Sequence, residues 1–192
     1  MKSGHEDTPI DRREWMKAGV AGAASGLWVG SGQAQTDSGK PAEVVGEAHW
    51  AIKKIDGRDI RLFMWNKHLA ASKRPYKATV LLVHGSSVSS TPVYDLKVPG
   101  REDASLMDWL ARQGYDVWCF DCEGYGRSDK SRPVTADVAM GADDLAVVSA
   151  AISGLTGVNQ LMLYGSSSGA LRAALFAQRH PERVARLLLD AM

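Results

Sequence analysis

Along residues 47–190, apolar runs alternate with polar breaks in two rhythms. EAHWAIKKI (47–55) and DIRLFMWN (59–66) alternate at roughly every second residue around Asp56-Gly57-Arg58, which predicts an antiparallel hairpin closed by an Asp-Gly turn. ATVLLVHG (78–85) is instead a short continuous apolar run ending in glycine, the pattern of a strand buried on both faces. YDVWCFD (115–121), NQLMLYG (159–165) and RVARLLLD (183–190) read as further strands. Between them lie three stretches with helical spacing. DASLMDWLARQG (103–114) stops at a glycine, ADVAMGADDLAVVSAAISGL (136–155) is the longest, and SSGALRAALFAQRH (167–180) stops before Pro181. Strands and helices in this order predict an α/β protein with a mainly parallel sheet behind an N-terminal antiparallel hairpin. The connection from Ser86 to about Gly100 exceeds the usual length of about 4 to 6 residues and is expected to rim a pocket.

The first 34 residues follow a different pattern. Arg12 and Arg13 precede Met16, Lys17 and an Ala/Gly-rich run that ends in small residues at Gly32 and Ala34. The segment resembles a twin-arginine export signal, although Asp11 and Trp15 replace the preferred Ser/Thr and Phe. Its apolar part, Ala18 to Val29, is well short of the roughly 20 residues a spanning helix needs. The expected organisation is therefore a signal peptide at 1–34, a Gln/Ser/Gly/Pro-containing linker at 35–46 and one α/β domain at 47–192. The resemblance implies the twin-arginine export machinery as a partner and a periplasmic or secreted location.

Composition narrows the function classes. Among 192 residues, 45% are hydrophobic and 23% charged, as in chains that bury a core, and the net charge of +1 supplies no field to attract nucleic acid. Polyanion binding is accordingly not expected.

Candidate chemistry lies at three strand ends. Gly165-Ser166-Ser167-Ser168-Gly169 matches G-x-S-x-G with Ser167 central, between a strand and a helix, so that a sharp turn would lift its hydroxyl above the sheet. His84-Gly85 closes an earlier strand, and Asp121 to Ser128 fits D-x-x-G-x-G-x-S, with Gly124 and Gly126 permitting a tight turn. Together these motifs resemble the α/β-hydrolase family over about Glu47 to Asp190. The resemblance implies Ser167 as nucleophile, the backbone N–H groups of Ser86 and Ser168 as oxyanion donors, and His84 as a residue that shapes the turn. It implies no cofactor or metal, and a small acyl compound as substrate. A serine at this place argues against the epoxide hydrolases and haloalkane dehalogenases of the family, which use Asp.

The family triad continues with an acid and then a histidine, yet only His180 follows Ser167 here. A helix of about 13 residues would carry it roughly 20 Å away. The expectation is therefore an N-terminal part of a longer enzyme that ends before the lid, the last strands and the catalytic histidine. Asp190, at the end of the last strand, is a candidate triad acid. His49 and His68 are read as surface or packing residues.

The remaining clusters have plainer readings. Cys119 and Cys122 form C-x-x-C, but their positions at a strand end favour buried free thiols over a redox pair. Arg172, Arg179, Arg183 and Arg186 are read as a solvated helix face, and Asp143 and Asp144 as structural. The sequence thus predicts a serine hydrolase of ester or related acyl bonds. A hydrolase-fold protein that binds a ligand or partner without turnover is the competing class, and a thiol oxidoreductase the third.

Overall fold

Two central strands are buried end to end, β3 (Thr79–Val83) and β4 (Asp116–Phe120), and other described elements cover their two faces. The computed structural model describes residues 43–70, 75–101, 103–134 and 136–191. All belong to the compact unit Gly39–Met192, so the export signal expected at 1–34 lies outside the described residues.

The hairpin forms from β1 (Val44–Ile55) and β2 (Arg58–Leu69), paired antiparallel along their full length from Val44–Leu69 to Ile55–Arg58. Asp56 and Gly57 both have positive φ, 49° and 71°, the geometry that matches a two-residue turn to the twist of its strands. β1 starts at Val44, so the last residues of the tract expected as linker are strand. Gly46, in that strand, is small because the indole of Trp65 passes over it, with Cη2 2.9 Å from where a Cβ would stand.

The remaining strands are β5 (Leu161–Ser166) and β6 (Val184–Asp190), and the sheet order is β1-β2-β4-β3-β5-β6. β2 joins β4 antiparallel, and every later pairing is parallel. This is the mainly parallel sheet with an antiparallel start that the pattern predicted.

Alternation along the strands sorts the core into two layers. Leu81, Val83, Trp118, Phe120 and Leu163 pack toward α3 (Val138–Thr156) and α4 (Ser168–Arg179), meeting Leu145, Val148, Ile152 and Phe176. Val80, Leu82, Val117 and Cys119 pack on the opposite face against Tyr94, Met107 and Ala111. Those last residues come from α1 (Ser90–Tyr94) and α2 (Leu106–Arg112). The helix α1 lies inside the connection read as a plain loop, because five residues are too few to display a period. Side chains cap the starts of two helices: Ser105 accepts from Asp108 N at α2, and Asp137 accepts from Met140 N at α3.

Candidate active site

The chain leaves β5 at Ser166, turns at Ser167 and enters α4 at Ser168. Ser167 has φ 56° and ψ −131°, a conformation that non-glycine residues adopt only at a cost of order 1–3 kcal/mol. Tertiary contacts hold it there. The Ser167 N–H donates to the carbonyl of Asp190 at the end of β6, 2.9 Å away. Gly165 and Gly169 admit the close approach such a turn needs. A Cβ on Gly165 would meet the Gly169 carbonyl oxygen at 2.5 Å and Ala170 Cα at 2.7 Å, and one on Gly169 would meet His84 O at 2.6 Å.

Facing this turn is the segment after β3. A Cβ on Gly85 would stand 3.4 Å from Ser167 Oγ, so the Gly85–Ser86 backbone lies directly beside the exposed Ser167 hydroxyl. The hydroxyls of Ser86 and Ser168 meet at 2.8 Å. Ser168 opens α4, where the first N–H groups have no acceptor within the helix and the helix dipole is positive. Ser87, next along, also has positive φ, 74°, so both facing turns hold a non-glycine residue in the left-handed region.

His84 lies beneath this turn, fully buried. Its Nε2 accepts the Cys122 N–H at 3.1 Å, so Nδ1 carries the proton and donates to the Gly85 carbonyl at 2.7 Å. Burial holds the imidazole below its usual value against the bond to Gly85, and the Arg172 charge lowers it further. Both nitrogens of this neutral ring are occupied in shaping the turn.

Arg172 corrects the solvated-face reading. It is 1% exposed, and its guanidinium donates to the carbonyls of His84 (3.0 Å), Gly85 (3.4 Å) and Ala136 (2.5 Å). The signal was present in the sequence: 169, 172, 173 and 176 share the buried stripe of α4, and a charged residue on that stripe needs internal partners.

The sequence profile of the family described as serine aminopeptidase, S33, matches residues 74–191. This chain belongs to that family of α/β-hydrolases. Among curated proteins, a 2-hydroxy-6-oxononadienedioate/2-hydroxy-6-oxononatrienedioate hydrolase from Klebsiella pneumoniae is 29% identical over 113 residues, 59% of this chain and 35% of the relative. Its counterpart from Burkholderia vietnamiensis is 35% identical over 110 residues, 57% of this chain and 34% of the relative. The aligned region spans about a third of the length of these relatives. Solved structures with the same fold include a CIB-like hydrolase from Thermoplasma acidophilum, with TM-score 0.55 and 19% identity over 78% of this chain and 65% of that one. An epoxide hydrolase from Vigna radiata aligns with TM-score 0.54 and 16% identity over 74% and 38% of the two chains.

In this α/β-hydrolase the loop after β4 is built as the D-x-x-G-x-G-x-S pattern suggests. The Asp121 carboxylate accepts from Ser90 N, Ser90 Oγ and Arg127 N at 2.8, 2.6 and 2.9 Å, joining that loop to α1. Ser128 Oγ donates to Asp121 O and accepts the Phe63 N–H.

Asp190 stands exposed at the end of β6, paired in register with Ser166, and its Oδ2 accepts the Tyr164 hydroxyl at 2.9 Å. His180 caps the far end of α4, its ring 5.1 Å from that of Phe176 and Nδ1 3.6 Å from Glu182. His49 packs against Trp118, and His68 Nδ1 lies 2.9 Å from Asn66 Oδ1. Each histidine among the described residues thus has a partner other than Ser167.

Cys119 and Cys122 are free and buried in opposite core layers. Burial pushes both thiols up to about 12, which leaves almost no thiolate at neutral pH. Of the acidic pair, Asp143 is exposed and bonds Arg179, whereas Asp144 is fully buried and paired with Lys53. No group of three His, Cys, Asp or Glu among the described residues is placed to hold a metal ion.

Proposed function

We propose that this chain carries the nucleophile and oxyanion half of a serine hydrolase that cleaves an ester or related acyl bond. Ser167 Oγ attacks the carbonyl carbon while a histidine takes its proton. The N–H groups of Ser86 and Ser168 bind the oxyanion, and collapse of the tetrahedral species expels the alcohol, which receives the proton. Water then attacks the acyl-enzyme through the same base and releases the acid and free Ser167. The observation that carries this reading is the left-handed turn at Ser167 with its hydroxyl against the Gly85–Ser86 backbone. The substrate names of the curated relatives include a 6-oxo group, a carbonyl open to attack by a nucleophile although it carries no alcohol to expel.

None of the described histidines is placed against Ser167, so the base in this proposal is a group that the described residues do not supply; Asp190 is the candidate acid, and residues 1–34 direct the protein out of the cytoplasm. The test is labelling by a fluorophosphonate of the protein expressed from its complete reading frame. Labelling that disappears in Ser167→Ala supports the mechanism, and labelling that persists removes Ser167 as nucleophile. A well-folded wild-type protein that takes no label would favour the competing reading of a binding protein without turnover.

A further inference from the structure

Arg172 occupies a place where burial alone would favour an aliphatic residue. Its neighbours on the buried stripe of α4 are Gly169, Ala170, Ala173 and Phe176. Its charge has only main-chain carbonyl acceptors among the described residues, and its Nε is buried without a partner. An unneutralised buried cation is costly to a fold. The surroundings are nevertheless shaped to hold it. Gly141 of α3 leaves room for its stem, since a Cβ there would meet Arg172 Nε at 2.6 Å and Cγ at 2.7 Å, and the guanidinium lies 5.8 Å from the centre of the Tyr125 ring. That ring in turn lies 4.9 Å from His84.

The guanidinium binds the peptide groups on either side of Gly85: its bond to the His84 carbonyl is 3.0 Å, and the Gly85 carbonyl accepts from His84 Nδ1 at 2.7 Å and from Arg172 at 3.4 Å. The Gly85 carbonyl belongs to the same planar unit as the Ser86 N–H, and in a trans peptide the two point in opposite directions. Donors that hold the carbonyl on one side leave the N–H on the other, and Ser167 Oγ lies beside this stretch of backbone. They also polarise the amide and strengthen its N–H as a donor.

Resting on the serine-hydrolase reading above, we infer that Arg172 is a positioning residue for the oxyanion site: it fixes and polarises the Gly85–Ser86 peptide so that the Ser86 N–H meets the charge that develops on the substrate carbonyl. It touches no substrate itself. Its contribution grows as the carbonyl oxygen becomes negative, so it acts on acylation and hardly on substrate binding.

The test compares wild type, Arg172→Lys and Arg172→Gln in the full-length protein. It measures acylation by p-nitrophenyl acetate and the affinity for a trifluoromethyl ketone, which forms an oxyanion, against the matching methyl ketone. Removing a direct oxyanion donor costs about 100- to 1,000-fold in rate, so Arg172→Gln, acting at one remove, should cost about 10- to 100-fold in kcat with KM within about twofold. The preference for the trifluoromethyl ketone should fall by a similar factor. Lysine, which restores charge without the fork, should recover part of both. If a folded Arg172→Gln keeps the wild-type acylation rate and ketone preference, or weakens both ketones equally, the inference is overturned.

Should Arg172→Gln fail to fold, Gly141→Ala displaces the same side chain while keeping its charge and should lose the same preference. A folded Gly141→Ala with full preference also overturns the assignment. A wild-type protein that is not acylated on Ser167 fails at the earlier step and removes the serine-hydrolase reading itself.

Discussion

Ser167 is held in a backbone conformation it would not choose, and its neighbours show what holds it. Gly165 and Gly169 are small because other main-chain atoms occupy the space of their missing side chains, and this crowding keeps the turn sharp. Gly165→Ala and Gly169→Ala should each destabilise the protein by about 1–3 kcal/mol, read as a lower urea midpoint at unchanged slope. Gly154, inside α3, has nothing within 4 Å of the place a methyl group would take, so Gly154→Ala should instead stabilise by about 0.5–1 kcal/mol. Opposite signs for the same chemical change would separate close approach from helix propensity. The motif made Gly165 and Gly169 legible in the sequence. The role of Arg172 was not, because its acceptors are carbonyls 36 to 88 residues away along the chain.

A buried ionic network joins β1, the loop after β4 and α3. Lys53 of β1 reaches Asp144 at 2.5 Å and Glu123 at 2.7 Å, Arg132 grips Glu123 with two bonds of 2.7 and 2.8 Å, and the Glu123 N–H donates to Asp144. The Arg132 bonds, working against burial and helped by Lys53, hold the Glu123 carboxyl down at about 2. Its folded value therefore lies below the ordinary 4.5, so its contribution is fully present above pH 4.5 and is lost as pH falls toward 2. Asp144 runs the other way, raised by burial against its bond to Lys53, and takes a proton before Glu123 does. Glu123→Gln should flatten the fall in stability between about pH 4.5 and 2, measured by urea unfolding across that range. Asp143 and Asp144 read as structural from helical spacing and the family resemblance, but the partner of Asp144, Lys53, sits 91 residues away, on a strand whose alternation said only which side it faced.

The assembled sheet presents β6 at one margin, bonded on one side to β5, with Leu187 38% and Leu188 61% exposed. Exposed apolar residues on an outer strand invite pairing with other chains. The 192-residue chain should therefore self-associate with rising concentration, and Leu188→Lys should reduce this in light scattering; scattering equal in the two proteins would contradict it. By itself the sequence determined the order and type of the main elements, the hairpin turn and the strand-turn-helix context of Ser167, because each follows from periodicity or turn chemistry within about twenty neighbouring residues. Only the tertiary structure decided what meets across the sheet: the Gly85–Ser86 backbone beside Ser167, Asp190 bonded to Tyr164, the helix α1 within a connection, and the carbonyls that Arg172 binds. Those depend on strand order and on which side of the sheet each crossover takes, and parallel pairing between β3 and β5 brings together segments about eighty residues apart that share no local signal.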